Sequence, residues 1–284
     1  MVSWAVSCLN VRGLGGQQAN LASSINRAVT FKWLKGSCKS DVYLLSETNI
    51  PHNKIGQWSK EWGGPCLWCP GGTHGGGTAI LIHPKSDLVF IEGSQFKPGG
   101  LLSGRVVMVC VEVNGEKFSI ISAYAPSQPK HRGRFIKLLD KEAHRYNIEH
   151  EVSGLVTGGD WNTIPNPLLD KSHNKTNQGL PGSKAMADLV RSHALVDMWR
   201  ERNPVEPGYT RFSERLNSRL DRMYCDHSTS HTVTRVRHVT CPMSDHKAVH
   251  IRMHTRQVPK KLKSGCTVMH SLMIKCIWMC YSRI

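Results

Sequence analysis

Polar side chains stand where the apolar runs of this chain end. Asn10 closes AVSCLN, Glu47 follows YLLS and Tyr124 ends FSIISAY; Asp160 and Asn162 follow GLVTGG, Asp221 lies within SRLDRMYC, and Asp245 and His246 precede KAVHI. In layered α/β proteins, functional groups gather where strands end and loops begin. Carboxylates, amides and an imidazole brought to one end of a sheet would form a hard-oxygen site suited to Mg²⁺ and a phosphate. Each residue alone also has an ordinary reading. A strand-ending Asp commonly caps its own turn, Tyr124 before Ala125 and Pro126 could fill a core edge, and His246 is one of 15 histidines.

The elements that must position these residues are legible. Val- and Ile-rich runs at 4–9, 42–46, 78–82, 88–91, 105–113, 118–124 and 154–159 are bounded by Gly, Pro, Asn or charged turn residues and predict strands. Helical spacing appears in 21–36, where Leu21, Ile25, Ala28, Val29 and Leu34 recur, and again in 134–148 and 183–197. VNGEK at 113–117 joins two strand-like runs through Asn-Gly, a strong hairpin signal, so part of the sheet is antiparallel. These patterns predict a mixed-sheet α/β protein with helices outside. One domain over residues 1–255 is expected, followed by a basic, Cys-containing, poorly ordered tail at 256–284. The glycine-rich PGGTHGGGTAI (70–80) leads into a strand rather than a helix, which predicts a flexible loop and not a phosphate cradle. Trp68 nearby reads as packing.

Lys and Arg total 37 against 21 Asp and Glu, a net charge of +16 over 284 residues. The last 29 residues hold six cations and no acid, so residues 1–255 carry 31 − 21 = +10. A basic body favours a polyanionic partner, nucleic acid before anionic membrane. Ten cysteines lack a framework spacing, and Cys8 and Cys110 sit inside apolar runs, a pattern of reduced, intracellular thiols. The lone Cys66-x-x-Cys69 has no second pair at zinc-ligand spacing. No secretory signal is read at the N-terminus, and the apolar stretch of the tail is too short and too interrupted to span a membrane. Neither a GxSxG nucleophile motif nor a GxxxxGK[ST] phosphate loop is present.

The ordered set CLNVRGL, LLSET, SAYAP, GGDWNT, SRLDRMY and SDHKAV, running from residue 8 to residue 249, resembles the motifs of the endonuclease/exonuclease/phosphatase superfamily. Tyr124, where pancreatic-deoxyribonuclease-like members carry a second His, points to the exonuclease III and apurinic endonuclease branch. GGDWNTIPNPLLDKS, PGYTRFS and SRLDRMY look like the endonuclease domains of non-LTR (LINE-type) retrotransposons. The resemblance implies a four-layer α/β/β/α sandwich of two mixed sheets flanked by helices.

It also implies a Mg²⁺-dependent DNA phosphodiesterase, with Mn²⁺ as a substitute, that nicks DNA to leave a 3′-hydroxyl and a 5′-phosphate. By resemblance, Glu47 would bind the metal, supported by Asn10 and Asp245. Asp160, with an ordinary pKa of about 3.9 and so ionised at neutral pH, would activate water. Asn162, Tyr124 and His246 would donate to the scissile phosphate, Asp221 would orient His246, and Ser244 would brace the Asp-His turn. Arg12 stands where repair-type enzymes often place an acid; it and Arg211 would contact nucleic-acid backbone. The same site could serve abasic-site repair and 3′ to 5′ exonuclease action. A silent nucleic-acid-binding remnant is the reading from another class. DNA is the implied partner, with no membrane, a monomer favoured, and a nuclear location.

Overall fold

The computed structural model describes residues 2–15, 21–72, 76–173 and 180–255. The expected poorly ordered tail, and residues 73–75 of the glycine-rich loop, lie outside them. Within the described residues, the apolar runs pair into two six-stranded sheets. The first contains β1 (Ser3–Asn10), β2 (Val42–Ser46), β3 (Cys66–Cys69), β4 (Thr78–Ile82), β11 (Val233–Thr240) and β12 (Lys247–His254), in the order β11-β12-β1-β2-β4-β3. The second contains β5 (Val89–Phe90), β6 (Val106–Val113), β7 (Glu116–Tyr124), β8 (Gly154–Asp160), β9 (Leu195–Asp197) and β10 (Asp221–Asp226), in the order β5-β6-β7-β8-β10-β9. Each sheet has one central parallel pair, β1–β2 and β7–β8, and is otherwise antiparallel. The sheets are therefore mixed, as the Asn-Gly signal requires. At that hairpin Asn114 and Gly115 both adopt positive φ, 55° and 80°, and Val113 pairs with Glu116.

Helices α1 (Leu21–Trp33) and α2 (Ile55–Trp62) cover the first sheet. Helices α3 (Pro129–Glu149) and α5 (Ser183–Ser192) cover the second; the short α6 (Met198–Arg202) packs on β9 and β10, and α4 (Pro167–Asp170) ends on Asp170, which meets Arg219 just before β10. Three cores result. Val6, Cys8, Leu44 and Ile80 meet Val109, Ile120, Val156 and Met223 between the sheets. Phe31, Leu34, Trp58 and Trp62 pack on Leu9, Tyr43 and Leu45 outside one sheet, and Phe135, Leu139, Met186 and Leu189 on Met108, Ile121 and Leu155 outside the other. Central strands bury both faces, so a run such as VYLLS is continuously apolar rather than alternating. The architecture is the expected α/β/β/α sandwich.

Several elements depart from expectation. On α1 the inward face is Arg27, Thr30 and Phe31, continued by Leu34 in the turn that follows, while Ile25 is 51% and Val29 38% exposed. The apolar spacing misread this face because Arg27 is buried in an ion pair with Glu61, 2.6 Å away. Segment 183–197 is not one helix. It stops at Ser192, Ala194 turns at φ 47°, and Leu195–Asp197 becomes β9, paired to β10. LVFI shrinks to the two-residue β5. Helix α3 begins five residues before the expected start, with Pro129 at its first turn, where the missing N–H costs nothing. Cys66 and Cys69 are free thiols on β3, and Trp68 between them packs edge-on against Trp58 at 6.1 Å.

The strand carrying the central polar motif has no room for side chains at its glycines. A Cβ on Gly159 would lie 1.9 Å from the Ala123 carbonyl oxygen, at φ 144°, and one on Gly158 would lie 2.2 Å from Met223 Sδ. Gly159→Ala is expected to destabilise the fold by about 3 kcal/mol or more, through backbone strain and overpacking. Urea unfolding of the variant checks this; an unchanged midpoint refutes the close approach.

Candidate active site

The four central strands end together. β1 ends at Asn10, β2 runs into Glu47, β7 ends at Tyr124 and β8 at Asp160. The antiparallel neighbours begin at the same end: Asp221 opens β10 directly opposite Asp160, and His246 immediately precedes β12. Hydrogen bonds tie the two sheets. Asn10 Nδ2 donates to Asp160 Oδ2 at 2.9 Å, and the Tyr124 hydroxyl donates to Glu47 Oε1 at 2.9 Å. His246 Nδ1 is 2.6 Å from Asp221 Oδ2. The Ser244 hydroxyl donates to the Asn10 carbonyl and accepts the His246 backbone N–H, which ties the turn to the end of β1.

Most of these groups are withdrawn from water. Asn10, Asp160, Asp221 and His246 are each 5% exposed or less. Their protonation is set by burial and by one another. Burial and then the charge of Asp221 push the Asp160 carboxyl up to about 6, against His246 and the hydrogen bond from Asn10. This corrects the expectation of an ordinary carboxyl near 3.9; sequence does not reveal that two carboxylates face each other across adjacent strands. Burial alone would lower His246, but the charge and hydrogen bond of Asp221, with Asp160 and Asp245 behind them, raise it to about 9. It is an imidazolium at neutral pH, with Nδ1–H donated to Asp221.

The roles inferred by resemblance meet a more detailed geometry. Asn162 sits at φ 47°; its backbone N–H caps Asp160 Oδ1 at 3.0 Å and one amide N–H goes to the Ala125 carbonyl at 2.9 Å. The second N–H has no acceptor among the described residues and could serve a ligand. Tyr124 spends its hydroxyl hydrogen on Glu47, leaving the Glu47 Oε2 and the phenolic lone pairs. Arg12 and Arg211 lie on either side of Asp245, with nitrogens 3.5 Å and 3.9 Å from Oδ2, and both are largely solvent-facing. Left-handed backbone collects here at Arg12, Glu47, Asn49 and Asn162, as strained positions do at functional sites.

The group suits a cation. Asp160, Asp221 and His246 each offer an atom, all within 4.8 Å of one another. Asp221 Oδ1 and Asp245 Oδ1 are buried without a hydrogen-bond donor among the described residues. A protonated imidazole does not ligate a metal, so the Asp221–His246 pair is already internally balanced. Glu47, whose Oε2 has no hydrogen-bond partner among the described residues, fits a divalent ion better.

Residues 8–246 match the Endonuclease/Exonuclease/phosphatase family. The chain belongs to that family. The family membership makes this a hydrolase of the phosphoester-cleaving kind. Its fold is similar to an AP endonuclease from Leishmania major (TM-score 0.73, 16% identity, covering 89% of this chain and 88% of that one). It is similar also to the catalytic domain of Xenopus laevis APE2 (TM-score 0.68, 17% identity, 88% and 91%) and to a Neisseria 3′ phosphatase, NExo, bound to product DNA hairpin (TM-score 0.68, 17%, 89% and 100%). In sequence it is 27% identical over 224 residues to the transposon TX1 uncharacterized 149 kDa protein of Xenopus laevis, covering 75% of this chain. It spans only 16% of that relative's length. The shared fold is the one that the ordered motifs imply, and the transposon relative is in keeping with the likeness read from GGDWNT.

Sequence reasoning overlooked part of this family member's support. Arg219 and Arg222, on either side of Asp221, are buried in an ion network. Arg219 Nε donates to Asp170 at 2.8 Å and its Nη1 to Asp197 at 2.7 Å, while Arg200 also reaches Asp170 at 2.8 Å. The alternation of charges in SRLDRMY was the available signal. Arg219→Ala is expected to cost about 3 kcal/mol, because it leaves the fully buried Asp170 short of a partner; urea unfolding measures it, and a loss under about 1 kcal/mol would refute the network's importance. Arg105 was also missed: its guanidinium lies 5.1 Å from the Tyr124 ring centre, a further cation beside the site. Asn49 clamps the turn after Glu47, bonding both backbone groups of Gly76.

Proposed function

We propose that this protein is a Mg²⁺-dependent DNA endonuclease of the retrotransposon target-nicking type, carried by residues 1–255. The observation that carries this reading is the single group formed by Asp160, Asn10, the Asp221–His246 pair and the Glu47–Tyr124 pair, drawn from the ends of both sheets. Such a group holds an acceptor for a water proton beside a cationic donor for a phosphate.

In this mechanism Asp160, once ionised, accepts the proton of the attacking water and aims it in line with the leaving 3′ oxygen. His246, held charged by Asp221, donates through Nε2 to a non-bridging phosphate oxygen, and the remaining Asn162 N–H adds a second donor. Asn10 fixes the rotamer of Asp160, and Tyr124 fixes that of Glu47. Glu47, with Asn10 and Asp245 nearby, would hold the divalent ion, which would supply charge neutralisation to the phosphate and leaving group. Arg12, Arg211 and Arg105 provide cations for the flanking backbone, in keeping with the basic composition. The products are a 3′-hydroxyl and a 5′-phosphate. The protein acts on DNA as a monomer in the nucleus.

The likeness to apurinic endonucleases favours abasic-site repair as a second reading. Supercoiled plasmid, an abasic duplex and a recessed 3′ end separate the two. Nicking of intact plasmid with Mg²⁺, lost on EDTA treatment and restored by Mg²⁺ or Mn²⁺, is the expected result; strong preference for the abasic site selects repair. DNA binding with no cleavage of any of the three refutes both.

A further inference from the structure

Helices α1 and α2 and the turn after β4 enclose a groove of about 1050 Å³ on the outer side of the first sheet. It lies at the opposite end of that sheet from the catalytic group. Glu47 follows the last residue of β2, whereas the groove is closed by the turn at His83, whose N–H donates to the Asp41 carbonyl just before β2 begins. The floor is apolar: Phe31 and Trp62 are buried and meet edge-on at 5.3 Å. Ile25 and Ala28 line one wall, and Val29, one turn beyond Ile25, extends their stripe along the exposed face of α1. Helices of globular proteins usually turn such a stripe inward; α1 buries Arg27, Thr30 and Phe31 instead and leaves Ile25 51% exposed. The rim is cationic. Lys32 and Lys85 are exposed, and Lys35 Nζ lies 4.9 Å from the Trp62 ring centre and 3.5 Å from the Glu61 carbonyl oxygen, with further N–H groups to spare. None of these lysines forms a salt bridge among the described residues. Glu61, the acid among the lining residues, is already engaged: Arg27 donates to both of its oxygens at 2.6 Å and 3.0 Å, and Gln57 adds a bond of 2.9 Å.

We infer that this groove is a docking site for an acidic amphipathic helix of a partner protein. Apolar side chains one turn apart on that helix lie on Ile25, Ala28 and the aromatic floor, and carboxylates on its flanks meet Lys32, Lys35 and Lys85. Charge and apolar surface together select this occupant. Residues 1–255 of a second copy are net basic, and the last 29 residues of the chain hold six cations and no acid, so neither complements a cationic rim. Nucleic acid would satisfy the lysines, but its phosphates gain nothing from an aliphatic stripe. An amphipathic helix serves both parts, because side chains at three- and four-residue spacing enter an apolar groove from one face and leave the flanks for charge. Docking there is independent of the nuclease reading.

Selection from a random display library of peptides of about 16 residues, roughly four helical turns, on the immobilised full chain tests this. Enriched sequences are expected to carry apolar residues at three- and four-residue spacing with Asp or Glu beside them. A fluorescein-labelled enriched peptide is expected to bind Ile25→Asp at least about tenfold more weakly than wild type at matched melting temperatures, while Ile25→Leu retains the affinity. The double variant Lys32→Ala, Lys85→Ala, which removes exposed charge and no packing, weakens binding and flattens its salt dependence. Equal affinity of wild type and either the Ile25→Asp or the lysine variant overturns the inference, as does a selection that enriches no acidic amphipathic sequence. A concentration-dependent dimer in analytical ultracentrifugation that Ile25→Asp abolishes also overturns it and assigns the groove to a second copy. Loss of duplex binding in the lysine variant, with no peptide enriched, overturns it in favour of nucleic acid.

Discussion

Asp160→Asn lowers plasmid nicking by at least about a hundredfold. The loss follows from what the carboxylate does in its buried setting. Asp160 is 2% exposed and opposes Asp221 across adjacent strands, so its carboxyl is raised to about 6, first by burial and then by that charge. For a carboxyl whose folded pKa lies above its unfolded value, the fold favours the protonated form. That contribution is present at low pH and lost as pH rises through about 6, so above pH 6 the ionised group is a liability to the fold. An amide of the same shape removes the charge and the proton acceptor, while turning an N–H toward the Asn10 amide or the Asn162 N–H that Asp160 accepts. Nicking retained within tenfold refutes the role of Asp160, and a stability difference between wild type and variant that does not move in the variant's favour as pH rises through 6 refutes the direction of its shift. The wild-type rate should decline below about pH 6 as Asp160 protonates, and a bound divalent ion moves that limb to lower pH.

His246→Ala gives a loss of similar size, at least about a hundredfold in nicking, with a different stability signature. The imidazolium is held by Asp221 at 2.6 Å, and its pKa of about 9 lies above the ordinary value near 6.5. Its contribution to stability is therefore complete below about pH 6.5 and lost as pH rises through 9. Alanine removes this pH-dependent component and leaves Asp221, 1% exposed, as a buried carboxylate without its cation. Asp221→Asn distinguishes charge from packing. It lets His246 titrate nearer its ordinary value, so the basic limb of the nicking profile moves from about 9 toward 6.5 and activity at pH 6 exceeds that at pH 8. A basic limb that stays near 9 in Asp221→Asn would show that Asp221 does not hold the charge on His246.

Strand positions in the cores were legible because buried strands of a sandwich need apolar side chains on both faces, and WAVSCL, VYLLS and TAILI supply them. The Asn-Gly hairpin was legible because its backbone requires positive φ at two residues. Charged elements were harder to read. β11, VTRVRHVT, is an edge strand with half of its surface in water, so it lacks an apolar run. Arg27 on α1 and Arg219 in the SRLDRMY segment are buried because an acid from elsewhere in the chain meets each of them, and no local periodicity records that.

The candidate site divides along the same line. The sequence by itself determined the residue types: an ordered series of acids, amides, a tyrosine and a histidine, each beside an apolar run. Only the tertiary structure decided which of them meet. Parallel pairing of β1 with β2 and of β7 with β8, and the packing of one sheet on the other, put Asn10 on Asp160, Glu47 on Tyr124 and Asp221 on His246. Their charge states were decided there as well, because a pKa depends on burial and on the nearest opposing charge, and both are properties of distance in space rather than of distance along the chain.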